Sequence, residues 1–346
     1  IIHLSQLVGI YLWKLHHKTD VLVVSEDVEM LKVLNALEYA PEPATLVTIY
    51  IVLGEYLLFK RQLDTGRQYL IKASNVMSLQ DLQTSTPSLD ALLMVGEPEE
   101  DTKEYLTALG QLTYVDKATS MVIGWTPFLD HEYEKQLKQL VLSQPWFATH
   151  SAVALRCKSL LLLREAMRLS RIRASAASKS SERLETALPL EWYTQYWEML
   201  EDTWRHIALL YPQMLQSSLY PDLEQHTLCL KTCLIVSLSA QIEMHNMPSF
   251  FHLESRQKAL STAIEVIGLT KGWKEEDYAM LEPTLGICHG IVANALRDDR
   301  RLYAGSPDEF VKIQEALAVL ITSTTLLADK IPYLGALSLF SSRRYS

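Results

Sequence analysis

Glycine and proline are scarce, at 12 and 13 of 346 residues. So few turn-formers disfavour a fold of many short strands and favour long helices. No alternating stretch of five or more residues reads as a strand; Val21–Val24 is the one short candidate. Cysteine is also sparse. Cys157, Cys229, Cys233 and Cys288 are too few for a disulfide scaffold. Cys229 and Cys233 share a helical face and, with Cys288 and His289, offer the one metal-ligand set to weigh. Structural zinc takes paired ligands at loop knuckles, so these thiols read as small buried hydrophobes and no metal or other cofactor is expected in this chain.

Catalytic signatures are missing as well. The sequence has no Gly-x-Ser-x-Gly elbow, phosphate-binding glycine loop or His-Glu-x-x-His helix. Asp298–Asp299 before Arg300–Arg301 lacks the second acidic cluster that a magnesium–diphosphate enzyme requires, and reads as a solvated charge group. The histidines are scattered, with His16–His17 and His245 read as surface or satisfied residues, so an enzyme is not expected. Positive charge is in deficit: 32 basic residues face 41 acidic ones, a net charge of −9. Such a surface opposes nonspecific contact with nucleic acid. No signal peptide is visible, and the start from Ile1 to Leu15 reads as an amphipathic helix. The apolar-looking run Ser151–Leu163 is broken by Arg156 and Lys158 and is too short to span a bilayer. These features predict a soluble intracellular protein without a membrane partner. The start at Ile1, without Met, reads as that of a processed or excised piece.

What is present is helical periodicity. Apolar residues make up 48% of the chain, enough for a sizeable core. The pattern predicts helices near 2–16, 26–39, 43–60, 64–79, 101–123, 130–142, 149–172, 189–211, 221–245, 253–271, 276–297 and 307–330. Pro43 opens a segment apolar nearly all round, predicted to be central. The next helix, with Asp64 as its expected cap, follows a link so short that the two must be antiparallel neighbours. Asp101 and Glu104 have the spacing of a capping box, and Ser306 with Pro307 marks the last helix start. Loose loops are expected near 80–100 and 170–188, the latter between two halves of one domain. The expected architecture is a single all-α domain over 1–346, an extended multi-helix body with stacked antiparallel hairpins.

The richest aromatic group is Trp192, Tyr196, Trp197 and Trp204, with Tyr193 among them. Trp192, Tyr196 and Trp204 fall roughly on one predicted helical face. Core packing is the default, and the wall of an apolar pocket or an interface is the functional alternative. Arg164, Arg168, Arg171, Arg173, Lys179 and Arg183 form a basic stretch that reads as solvated, with an import or acidic-partner patch as the alternative.

Two patterns bear on function. Leu53, Gly54, Leu57, Gly66, Leu70 and Ala73 match one tetratricopeptide-like repeat, but no second copy follows 34 residues on. Tyr56-Leu57-Leu58-Phe59, Gly66-Arg67 and the apolar helix Tyr69–Met77 are followed by Leu112, Tyr114, Asp116 and Lys117, then Gly124-Trp125-Thr126-Pro127. Over residues 45–130 this order resembles the regulatory, or middle homology, domain of fungal zinc-cluster transcription factors. Thr126 stands where the family carries a first proline, and Lys117 where arginine is common.

The resemblance implies a non-catalytic regulatory domain acting in transcriptional control in the nucleus, with Gly66, Tyr114, Asp116, Lys117, Gly124 and Pro127 as structural motif residues. It also implies partners in the transcription machinery, effector sensing by a small molecule, or self-association as a homodimer. DNA binding by zinc-held cysteines would belong to a separate N-terminal module, so this chain is not expected to bind DNA directly. A helical-repeat interaction scaffold is the alternative from another class.

Overall fold

The computed structural model describes residues 2–17, 25–39, 42–81, 100–129, 144–179, 188–247, 252–300 and 307–331, together with Tyr133–Lys135, Leu137 and Gln139. The chain is all-α, and among the described residues there is no strand. Val21–Val24, Gly305–Ser306, Arg183, Arg301 and all of 82–99 lie outside the described residues, and the predicted helix 130–142 is described only in part.

The chain divides into two compact units, one holding the described residues up to Cys157 together with 329–331, the other Lys158–Ala328. The first contains α1 (Ile2–His17), α2 (Glu26–Leu37), α3 (Pro43–Phe59), α4 (Leu63–Asp81), α5 (Glu100–Ile123) and α6 (Pro145–His150). Its centre is α3, which packs on α4, α5 and α1. Val47, Ile51, Leu53 and Leu57 of α3 are buried, as an all-round apolar helix requires. The α3–α4 pair is antiparallel and unusually close. A Cβ on Gly54 would lie 2.8 Å from the Leu70 side chain, and one on Gly66 would lie 2.9 Å from the Gly54 carbonyl. Small residues at both positions therefore permit the approach.

The turn between them is tight. Arg61 takes a left-handed φ of 61° and Gln62 N–H reaches back to Leu57 O at 2.9 Å. Gln62, not Asp64, occupies the cap position, because its carbonyl accepts the first helical bond, from Gly66 N–H at 2.9 Å. Asp64 sits one turn in, where its charge favours the helix dipole. The helix opened at Glu100 places Asp101 inside rather than at the cap, and Glu104 instead accepts from Thr45 Oγ1 at 3.1 Å.

The second unit contains most of α7 (Ala152–Lys179), then α8 (Leu190–Ser218), α9 (Glu224–Asn246), α10 (Leu253–Thr270), α11 (Leu285–Arg300) and α12 (Pro307–Lys330). Ser170–Lys179, expected as loop, continues α7, since Ser and Ala neither break nor cap a helix already propagating. The helix expected from 276 starts at Leu285; before it, Asp277–Ala279 forms one 3₁₀ turn and Pro283 interrupts.

Helix α9 packs against α8, α10 and α11 and is buried nearly all round. Its core hydroxyls are satisfied within the helix: Ser237 Oγ donates to Cys233 O and Ser239 Oγ to Ile235 O, both at 2.8 Å. Two segments, Pro221–Asn246 and Phe310–Lys330, are long and apolar enough to cross a membrane by length and composition, and the first is 72% buried within the fold. The sequence reading weighed only Ser151–Leu163 as a span and overlooked both.

Candidate functional site

Helix α5 carries the densest set of predicted motif residues, all in the first unit. Lys117 is only 2% exposed and is among the largest fully buried side chains. Its ammonium lies 2.8 Å from Asp116 Oδ2 and 3.2 Å from Glu134 Oε1, and donates to Leu129 O at 3.3 Å. Asp116 Oδ1 accepts the Phe128 N–H at 2.8 Å. A charged lysine in a dry interior needs such a shell, because an unpaired charge there is strongly unfavourable. The group pins the segment after α5 to the helix from inside.

Gly124 ends α5 with φ +81°, the left-handed position that glycine adopts freely. Beyond it, the Arg67 guanidinium lies over the Trp125 ring at 5.2 Å and donates to Thr126 O at 3.3 Å. The start of α4 at Gly66-Arg67 and the Gly124–Pro127 exit, far apart in sequence, therefore meet. Pro127 itself is exposed. Tyr114 is buried, with Arg156 of α7 stacked 4.3 Å above its ring. The sequence reading missed Glu134 as third member, whose only signal was a carboxylate one turn into a predicted helix.

A second charged centre in this unit escaped the sequence reading. Glu26, 8% exposed, accepts from Tyr56 OH at 2.7 Å and Lys60 Nζ at 3.0 Å, with Lys14 Nζ at 3.2 Å. Burial would raise its pKa, but these donors together hold it below the usual carboxylate value. The Tyr56 phenol is correspondingly pushed up, by burial first and then by the carboxylate.

In the second unit, Ser159 Oγ lies 2.9 Å from His206 Nε2, and Ser237 Oγ lies 3.1 Å from Ser159 Oγ. A Ser–His contact invites a nucleophile reading. Both residues are buried, the third member contacts Ser159 and not the far nitrogen of His206 that a base-orienting carboxylate would hold, and Asp202, one turn from His206, pairs with Lys158. The trio joins α7, α8 and α9 through the core.

The aromatic group divides. Trp192 and Tyr196 stack at 5.4 Å inside the fold, donating to Leu169 O at 3.1 Å and Met244 O at 3.3 Å. Trp197 and Trp204 point outward and are 64% and 62% exposed. The four thus line no common pocket; Trp204 lies about 120° around the helix from Trp192, given ~100° per residue. Cys288 is fully enclosed and burial pushes its thiol up to about 12. Among the described residues no three His, Cys, Asp or Glu side chains converge as metal ligands. Asp298 and Asp299 fall in α11, but their side chains lie outside the described set.

No family model, curated protein or solved structure matches the chain. The reading of function rests on the residues themselves.

Proposed function

We propose that the chain is a non-catalytic regulatory domain of the zinc-cluster transcription factor type, acting in transcriptional control in the nucleus. One observation carries the reading: the motif segments that resemble that family converge on each other. Gly66 lets α3 and α4 approach, Arg67 grips the exit of α5, and Asp116–Lys117 holds that exit from within. A motif whose separated parts are each other's partners is one whose residues serve architecture, which is the role the resemblance implies for them. Its partners would be proteins of the transcription machinery, with a small-molecule effector as the input. The tetratricopeptide-like alternative draws on the same Gly54–Gly66–Leu70 contact, but that pattern occurs once.

Direct DNA reading by this chain is not part of the proposal. Phosphate contacts dominate DNA affinity, and a net charge of −9 opposes them. The test is an anisotropy titration at physiological salt with residues 1–346 and a pool of random duplexes. No sequence should be enriched; selective retention of one sequence would overturn the assignment.

A further inference from the structure

Helix α8 has a second face that the core does not use. Its buried side runs through Trp192, Tyr196, Met199, Thr203, Ile207, Leu210 and Met214. On the side turned to solvent stand Leu190, Trp197, Trp204, Ala208, Leu215 and Leu219. They are spaced by seven, seven, four, seven and four residues, which keeps them within one narrow stripe along the helix. Leu190 is 81% exposed, Leu215 59% and Leu219 76%, beside the two exposed indoles. Tryptophan and leucine at such exposure, aligned over the whole helix, go beyond the scattered apolar residues of an ordinary surface.

The stripe is apolar on both sides of its middle, though its residues are not the same in the two directions. Trp197 and Leu215, and Trp204 and Ala208, lie evenly about residue 206, and Leu190 and Leu219 do so to within about a turn. A pattern of this kind matches itself when two copies lie antiparallel, which is the requirement of a two-fold, isologous interface. Each indole would then face the aliphatic or small residue of the other copy.

Charge selects the same orientation. Glu191, Glu198 and Glu201 crowd the first half of the exposed surface, whereas the second half offers Pro212, Gln216 and Ser218. Parallel pairing would set the carboxylates against their own copies. Antiparallel pairing sets them against uncharged groups, and Arg205, next to the midpoint, is already paired with Glu201. The area also suffices: with aromatic side chains presenting ~150–250 Å² each, the stripe offers on the order of 600 Å² per copy, near the ~800 Å² per partner of a standard stable interface.

We propose that this face is where a second copy of the chain docks, antiparallel across α8, with Trp197 and Trp204 as its anchors. The proposal stands on α8 alone and does not depend on the regulatory reading.

The test is sedimentation velocity of residues 1–346 over a range of concentrations. A dimer is expected, and Trp197→Glu with Trp204→Glu should weaken it by at least ~100-fold, since buried tryptophans dominate such interfaces. Both side chains are exposed, so far-UV circular dichroism should be retained. Should the double variant misfold, orientation is read in the otherwise native chain: Leu190→Cys mixed with Leu219→Cys should cross-link across copies far faster than Leu190→Cys with itself. A chain that stays monomeric, a dimer indifferent to both tryptophans, or preferential 190–190 cross-linking would each overturn the proposal. So would a monomer that instead captures anionic lipid vesicles through these indoles.

Discussion

At the residue scale, the fold places charges and imidazoles where only their partners make them tolerable. Lys117 is the sharpest case. Lys117→Met leaves Asp116 and Glu134 facing each other without their cation and should destabilise the chain by about 3–5 kcal/mol in urea unfolding. Asp116→Asn keeps an acceptor for Phe128 N–H and should cost visibly less. Equal losses would show that the lysine is not the centre of the group. His289 gives a pH-dependent counterpart. Thr324 Oγ1 donates to Leu320 O, so it accepts from His289 Nδ1–H, which leaves Nε2 as the unprotonated and unpartnered nitrogen. Burial holds its pKa at about 4, and His245 is likewise depressed to about 4, by burial first and then by Lys258. Both are neutral in the folded chain. As pH falls below the ordinary value of 6.5, the unfolded chain takes up these protons first, so stability is present above 6.5 and lost down to about 4. His289→Asn should remove about 1–3 kcal/mol of that acid sensitivity, read as the difference in unfolding free energy between pH 7 and pH 4.5. An unchanged pH slope would contradict a neutral buried imidazole.

At the element scale, much was legible because the period carries the information. The helix over Pro43–Phe59 follows from its apolar run and its proline start, and the α3–α4 pairing from a link too short for any other arrangement. Less legible were features that depend on what lies across the gap. Nothing in the local sequence of Gln62 marks it over Asp64 as the cap, and Ser170–Lys179 was expected as loop on its serines although Arg171, Arg173, Ala174, Ala176, Ala177 and Lys179 favour continuing the helix. Trp204 was assigned to the face of Trp192 by loose counting over three turns, a distance at which the accumulated angle decides the side. Four substitutions in the hairpin check the account. Leu53→Ala, at a fully buried site, should cost about 2–5 kcal/mol. Gly66→Ala sets a methyl against the Gly54 carbonyl and should cost about 1–3 kcal/mol, and Gly54→Ala, which meets the buried Leu70 side chain at 2.8 Å and the Gly66 carbonyl at 3.2 Å, should cost a similar amount. Arg61→Gly should instead stabilise by about 0.5–1 kcal/mol, because the left-handed turn suits glycine. Loss of stability at Arg61→Gly would mean that the side chain, not the backbone, holds the turn.

At the scale of the whole molecule, the candidate site was partly legible as a list and not as an assembly. Gly66, Tyr114, Asp116, Lys117, Gly124 and Pro127 could each be picked from the sequence. That Arg67 would meet Trp125, or that Glu134 would complete the Lys117 shell, depends on how distant segments fold back, and periodicity says nothing of that. The same holds for Glu26, whose three donors come from α1 and α3. The central claim is that these contacts build a domain that modulates transcription without chemistry of its own. Its most direct test fuses residues 1–346 to an unrelated DNA-binding module and measures a reporter driven by that module's site in a fungal nucleus. The account predicts output changed several-fold relative to the module alone, with the change lost in Lys117→Met as the domain unfolds. A folded, nuclear fusion whose output equals that of the module alone would contradict it.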